Sequence, residues 1–402
     1  MTIRPRKVAV VGGGLAGLSA AIELADLGHE VELHEARPTL GGAVQTLPER
    51  EGDPPPSPDN GQHIALGCFT AYQRFVARIG KADALHRERL RLPVIDEHGR
   101  VATIGPGLGL LRYAHLPLSS RLRIARTAFS MRKLSPADHA GETFASLLGS
   151  REEIDRFWDV FVRPALNLPS AEAGADYGIF TVQTALLAGA RAADLLLPAE
   201  PLGEMHGAAA GRVLGDAVRL ESRIDDLDDL DADAVVLAVP APEAARLLGK
   251  EPPALEDSPI VSVHLLFDRP ILKHRLAALL DSPAHWVFDR GALTGHQPQA
   301  GGQYLTVVAS GVPELLELRG KGLVEAMADA LTGRLGPAEL LWSRVSREPR
   351  ATFAARPGTR TLRWPMQTSR ENTLLAGAWI ASDWPATMEA AVRSGVAAAR
   401  AV

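Results

Sequence analysis

The first element legible in the chain is a run of apolar residues without polar alternation, Val8-Ala9-Val10-Val11, the pattern of a strand buried on both faces. It leads straight into Gly12-Gly13-Gly14-Leu15-Ala16-Gly17. Leu15, Leu18, Ile22 and Ala25 then recur at helical spacing, and Gly28 supplies a stop. Val31-Glu32-Leu33-His34-Glu35 alternates apolar and polar positions and ends in an acid. The same alternation over 218–224 predicts a strand, and the apolar run over 233–240 predicts a buried one. Residues 260–267 and 304–309 read as further strands between Pro- and Gly-rich turns. Residues 373–377 read as a buried strand ending in glycine. Trp384-Pro385-Ala386-Thr387-Met388-Glu389 then opens an Ala-rich helix. Asp53-Pro54-Pro55-Pro56-Ser57-Pro58 reads as a solvated polyproline loop. No internal repeat is visible.

At 402 residues the chain has room for two or three domains and a large core. Hydrophobic residues at 46% and charged residues at 23% exclude a mainly disordered protein. Forty-three basic against 48 acidic side chains leave a net charge of −5, which gives no electrostatic reason to expect nucleic acid as a partner. The single cysteine, Cys68, excludes an internal disulfide and a multi-cysteine metal site, and no metal is expected. A reducing, cytoplasmic setting is the expectation. The charge-free stretch from Val8 to Ile22 is broken by glycines at 12, 13, 14 and 17. That interruption argues against a membrane span or a signal peptide. The oligomeric state is not legible.

The first thirty-five residues form a strand–turn–helix–strand–acid unit with a stated chemistry. Gly12 permits the tight turn, Gly14 lets the backbone approach a pyrophosphate, and Gly17 lets the helix pack on the strand. Leu15 and Ala16 open the helix, whose N-terminal N–H groups suit phosphates. Glu35, 18 residues beyond Gly17, stands near the spacing at which an acid accepts from ribose hydroxyls, and it would repel a 2′-phosphate. A structural turn without ligand is the alternative, and the flanking elements argue for dinucleotide binding. The motif alone does not separate a nicotinamide from a flavin. Ala36-Arg37 and then Gly41-Gly42 follow the acid. This resembles the N-terminal signature of the flavoprotein class that includes amine oxidases and carotenoid desaturases, where the glycine pair lies beside the FAD pyrophosphate. Taken alone, the pair is equally a loop turn.

The two ends together resemble the hydroxysqualene dehydroxylase family, the squalene-associated FAD-dependent desaturases. The residues that carry this are Asp59-Asn60-Gly61-Gln62-His63 with Leu66-Gly67-Cys68, and the stretch 384–389 with Ala391-Val392-Arg393-Ser394-Gly395. The resemblance implies an α/β fold. A Rossmann-like FAD-binding domain is assembled from 1–80, 206–254 and 346–402. An α+β substrate domain, with a mixed or antiparallel sheet and a helical cap, is built from 81–205 and 255–345. It also implies that the Ile224 backbone meets the adenine, and that Gly377 and Trp384, Pro385, Ala386, Thr387 and Met388 face the flavin, whose N1–O2 edge suits a helix N-terminus. One departure stands out: Ala378 follows Gly377 where such flavoproteins carry an acid, and Asp383 lies five residues on.

The reaction implied is reductive removal of the allylic hydroxyl of hydroxysqualene, giving squalene and water. Hydroxide leaves poorly, so a proton donor is needed, and His63 and Asp59 are the candidates. A structural hydrogen bond for His63 and a cap or turn for Asp59 are the competing readings. Tyr72, Trp158 and Tyr177 are candidates to line the pocket, with core packing as the default. An oxidative carotenoid or phytoene-type desaturase, an amine oxidase and a non-enzymatic prenyl-lipid carrier are the rival functions. The stretch 112–134 interleaves Arg112, Arg121, Arg123, Arg126, Arg132 and Lys133 with apolar residues. Two readings stay open for it: a solvated helix face, or a peripheral contact with the inner face of the cell membrane.

Overall fold

The computed structural model describes residues 4–298, 301–318 and 321–402. The apolar run becomes strand β1 (Lys7–Val11), followed by helix α1 (Leu15–Asp26) and strand β2 (Glu30–His34). β1 pairs in parallel with β2 on one side and with Ala234–Leu237 on the other. Thr373–Leu375 and Val218–Arg219 extend the sheet at its two edges, giving five parallel strands drawn from three separated stretches of chain. One face of this sheet is covered by α1 and the terminal helix Met388–Ala401. Leu18 and Leu24 are fully buried there, each contributing about 1.5–3 kcal/mol. Gly395 makes this packing possible, because a Cβ on it would overlap the Ala16 carbonyl of α1. The opposite face is packed by Leu227, Ala244 and Ile380.

Two elements differ from the sequence expectation. The strand expected over 218–224 ends at Arg219, because Glu221 takes a left-handed conformation (φ +53°) and turns the chain. Ser222 N–H then donates to the Glu35 carbonyl at 2.9 Å, which hooks the segment beside the end of β2. The terminal helix begins at Met388 rather than Trp384. Pro385 has no N–H to give, and the extended Thr387 caps the helix with its own hydroxyl, which accepts from Ala390 N–H at 3.2 Å.

A second sheet of seven strands carries the other half of the molecule, in the order Leu340–Phe353, Asp257–Phe267, Gln303–Ser310, Trp286–Asp289, Leu276–Leu279, Leu92–Ile95 and Val101–Ile104. All pairs are antiparallel except the parallel contact between Leu276–Leu279 and Leu92–Ile95. The boundary expected at 346 falls inside Leu340–Phe353, which pairs with Asp257–Phe267 over nearly its whole length, so the return to the first domain comes after Phe353. Helices between residues 107 and 187 cover one side, among them α3 (Leu118–Ser130), with π-helical turns at Ile154–Trp158 and Val182–Leu187; a third such turn, Glu204–Ala208, packs instead in the core beside α1. Helix α2 (Thr70–Arg78) lies against the terminal helix.

The proline-rich loop is pinned rather than solvated. The Asp53 carboxylate is paired with Arg344, both side chains being almost fully buried, and Pro58 is buried as well. Among the described residues no helix is long and apolar enough to cross a membrane.

Candidate flavin site and its substrate face

β1 delivers the chain to Gly12, which turns at φ +107°, and the helix begins two residues later. The first intrahelical bond runs from Leu18 N–H to the Gly14 carbonyl at 2.8 Å, so the N–H groups of Leu15, Ala16 and Gly17 precede it. No side chain caps them, and the first turn holds no acid. Gly13 N–H donates to Glu35 Oε2 at 2.7 Å and Arg37 N–H to Oε1 at 2.9 Å. Each carboxylate oxygen accepts two bonds, so both keep capacity for a hydroxyl. The side chains of Ala36 and Arg37 are exposed. Gly41 N–H donates to the Gly13 carbonyl at 2.8 Å, and Gly42 (φ +61°) follows so closely that a Cβ on it would stand 2.7 Å from the Gly14 Cα. Open donors at a helix start, bordered by a loop with no side chain to fill the gap, fit the diphosphate of a dinucleotide. Ile224 lies half-buried beyond this turn, its carbonyl accepting from Arg246 Nη2 at 3.0 Å.

The second wall comes from the end of the chain. Gly377 N–H donates to Ser394 Oγ at 2.8 Å, which joins the strand end to the terminal helix. The Ala378 carbonyl accepts from Arg363 Nη2 at 3.0 Å. Asp383, the other acid nearby, is exposed and engaged by Arg360 Nη1 at 2.7 Å. Arg363 is the residue that shapes this loop. Its guanidinium is buried against the Phe353 ring and also donates to the carbonyls of Ser382 and Trp384, each at 2.9 Å. Desolvation lowers its pKa from the usual arginine value. Trp384 stands edge-on to Phe69 and Phe180, at centroid distances of 5.7 and 5.2 Å. Pro385 is buried, and Ala386 packs on the core of the substrate side. Because the Thr387 hydroxyl serves Ala390, only the N–H groups of Met388 and Glu389 are left at the helix start. The buried Glu389 carboxylate turns away to accept from Ala71 and Tyr72 N–H, at 3.0 and 2.8 Å, and so caps α2.

Residues 59–63 cross from the first domain to the seven-stranded sheet. Asp59 is 2% exposed and its carboxylate accepts from Arg290 Nη1 at 2.6 Å, Thr46 Oγ1 at 2.7 Å and Leu202 N–H at 2.9 Å. Three donors thus converge on this one carboxylate, which acts as an acceptor and fixes the loop that carries it. Its backbone carbonyl accepts from His264 Nε2 at 2.9 Å, and burial takes the pKa of that histidine down to about 3. Asn60 ties the crossing back to the flavin-side loop, donating to the Ala43 carbonyl at 2.9 Å. His63 emerges half-buried, with no hydrogen bond to a protein group among the described residues. Burial lowers its pKa from 6.5, and the Asp59 charge opposes that shift. Tyr72, Trp158 and Tyr177 are all core residues with almost no exposure. Tyr72 OH donates to His206 Nε2 at 2.7 Å, while Nδ1–H of His206 is spent on the Leu202 carbonyl.

Sequence reasoning missed Arg290, His264, Arg344, Arg363 and Glu389. Their partners lie far along the chain; Arg290 and Asp59 are 231 positions apart. The one local signal is a charged pair at the end of an apolar run, as Asp289-Arg290 is after Trp286-Val287-Phe288.

This arrangement, a parallel sheet with a glycine-rich turn joined to a second, mostly antiparallel sheet, is that of a flavin-dependent oxidoreductase. Residues 15–402 match the family model described as flavin containing amine oxidoreductase, and the chain belongs to that family. Family membership makes it an enzyme and removes the lipid-carrier reading. Within the family it is similar to hydroxysqualene dehydroxylase of Sinorhizobium fredii, 29% identical with 98% of each chain covered. It is also similar to zeta-carotene desaturase of Zea mays, 30% identical over 40% of this chain and 32% of that one. In fold it matches cyclohexylamine oxidase from Brevibacterium oxydans, with a TM-score of 0.73, 19% identity and coverage of 99% and 98%.

Proposed function

We propose that the flavin is FAD and that the protein reductively removes the allylic hydroxyl of hydroxysqualene, in the cytoplasm and with substrate drawn from the inner membrane face. The observation that carries this reading is the contrast in coverage: likeness to a hydroxysqualene dehydroxylase spans the whole chain, whereas likeness to a carotene desaturase spans under half. In this reading Gly12, Gly14, Leu15, Ala16 and Gly17, with Gly41 and Gly42, hold the diphosphate, supported by the open N–H groups at the start of α1. Glu35 serves the ribose, flanked by Ala36 and Arg37, and the Ile224 backbone serves the adenine. Gly377, Trp384, Pro385, Ala386, Thr387 and Met388 border the flavin ring.

When bound and reduced, FAD would supply a hydride to the carbon that the hydroxyl vacates. The broken C–O bond releases hydroxide, which a proton from the protein must turn into water. The chain must therefore hold a proton, keep water out and tolerate positive charge. His63, half-buried and without a hydrogen bond to a protein group among the described residues, is the proton donor in this proposal, since burial makes its imidazolium a stronger acid than free histidine's. Asp59 positions the loop that bears His63 and keeps a negative charge near it. The aromatic faces of Trp384 and Phe180 suit cationic character at carbon.

A single anaerobic turnover tests this. Protein loaded with FAD and reduced is mixed with hydroxysqualene, and flavin absorbance and extracted products are followed. Flavin reoxidation matched by squalene formation is the expected result. No reoxidation with flavin bound would sink the assignment and favour an oxidative desaturase acting on carotene-like polyenes.

A further inference from the structure

We infer that α3 docks the protein on an anionic lipid surface and delivers an apolar substrate to the flavin-facing loop; the delivery step rests on the function proposed above, whereas the docking does not.

Helix α3 buries one stripe, Ser120 and Ile124, with Met131 directly after it, and leaves another uncovered. Leu118, Leu122 and Phe129 are 56%, 53% and 62% exposed, and with the exposed Ala125 they recur at spacings of three and four, a single apolar face along the helix. Apolar side chains that share one face, unlike scattered ones, mark an interaction surface.

The charges around this face choose the partner. Residues 112–134 hold six basic side chains and no acid, in a chain of net charge −5. Two are spent within the fold: Arg121 on the carbonyls of Leu111 and Leu116, and Arg123 on Glu153. Arg112, Arg126, Arg132 and Lys133 are exposed and have no carboxylate partner among the described residues. Arg132 lies 5.3 Å over the Phe129 ring, so an apolar tip and a cation leave the surface together. Apolar side chains that reach the acyl boundary, flanked by cations at headgroup level, match an anionic bilayer.

Contacts inside the protein continue from this face to the site. The Gln183 amide donates to the carbonyls of Met131 and Leu134, at 2.7 and 2.8 Å, clipping the end of α3 to the π-helical turn Val182–Leu187. Leu186 and Leu187 of that turn and Leu134 are only partly buried, and they rim the same apolar core as Ile64 and Ala386. Phe180, just before the turn, packs on Trp384. An apolar chain leaving the bilayer at Phe129 thus meets apolar side chains on the way to the flavin-facing loop.

The test is co-sedimentation of the full chain with vesicles of phosphatidylglycerol and phosphatidylcholine, beside vesicles of phosphatidylcholine alone. The protein should bind the anionic vesicles at least tenfold more tightly, and half-molar salt should weaken that binding. Leu122→Asp with Phe129→Asp should abolish it, and Arg126→Glu with Arg132→Glu should remove the preference for anionic lipid. These side chains are exposed, and unchanged thermal unfolding confirms the fold. Turnover of detergent-dispersed hydroxysqualene should survive in all variants while turnover of vesicle-borne substrate falls. Equal binding to both vesicle types, undiminished binding by the Asp variant, or a change in oligomeric state as its only effect would each overturn docking. Loss of detergent-phase turnover in the parent protein would instead overturn the proposed reaction and leave the docking result standing.

Discussion

Burial draws the pKa of His63 down while the Asp59 carboxylate pulls it up, and the net direction is below the usual 6.5. If the imidazolium gives the proton, turnover is greatest on the acid side and falls as pH rises through a value under 6.5. Single-turnover rates across pH should show that limb, and His63→Gln should erase it while lowering the rate by about 10²–10⁴. A variant that keeps the limb would take His63 out of the mechanism. Asp59 has a different weight, because it and Arg290 are a buried pair. Arg290→Met leaves the carboxylate buried without its cation and should cost about 3–5 kcal/mol in urea unfolding. Adding Asp59→Asn should restore part of that loss. An unchanged midpoint in Arg290→Met would mean that water already serves the carboxylate.

The dinucleotide turn and both of its strands were legible because every signal lies within thirty-five residues: an apolar run, spaced glycines, a helical repeat and a terminal acid. The Asp59–His63 stretch was legible only as a likeness, since its partners lie more than 200 positions away, His264 in a strand and Arg290 at the start of the short helix Arg290–Thr294. Likewise, nothing around Arg363 announces that its guanidinium gathers the carbonyls of residues 378–384. Alternation misled at 218–224, where one left-handed residue ended the strand, and the proline run misled because its two arginine partners are remote. Two glycines carry element-scale predictions. Gly42→Ala pushes a methyl toward the Gly14 Cα at a left-handed position, so the purified protein should lose most of its flavin, read from its absorbance ratio. Gly395→Ala wedges the terminal helix off α1 and should cost about 1–3 kcal/mol by thermal or urea unfolding. Full flavin content in the first, or parent stability in the second, would show that the loop or helix shifts freely.

At the scale of the molecule, burial favours the neutral form of three histidines among the described residues: the fully buried His206, with its pKa down at about 4, and the buried His264 and half-buried His285, at about 3. Unfolded histidine titrates near 6.5, so below that pH the unfolded chain takes up protons that the fold refuses. Stability is therefore complete above about 6.5 and is lost as pH falls toward 4, by roughly 1–2 kcal/mol per histidine at pH 5. Urea midpoints at pH 7.5 and 5 should show the drop, and His264→Gln should lessen it; a flat profile would mean that water reaches these rings. His206 lies in the turn Glu204–Ala208 beside α1 and α2, and His264 and His285 belong to the segments of the seven-stranded sheet, so the loss reaches well beyond the flavin turn.

The crossing of Gly395 over Ala16 sets a schedule for synthesis. The turn at residues 12–17 leaves the ribosome nearly 380 residues before Gly395 of the helix that braces it (395 − 17 = 378). At about 5–20 residues per second, that interval lasts roughly twenty seconds to over a minute. Throughout it the nascent α1 lacks the partner that covers its apolar face, so this wall of the candidate cofactor site closes only once Gly395 has emerged, and until then that face is open to non-native contacts.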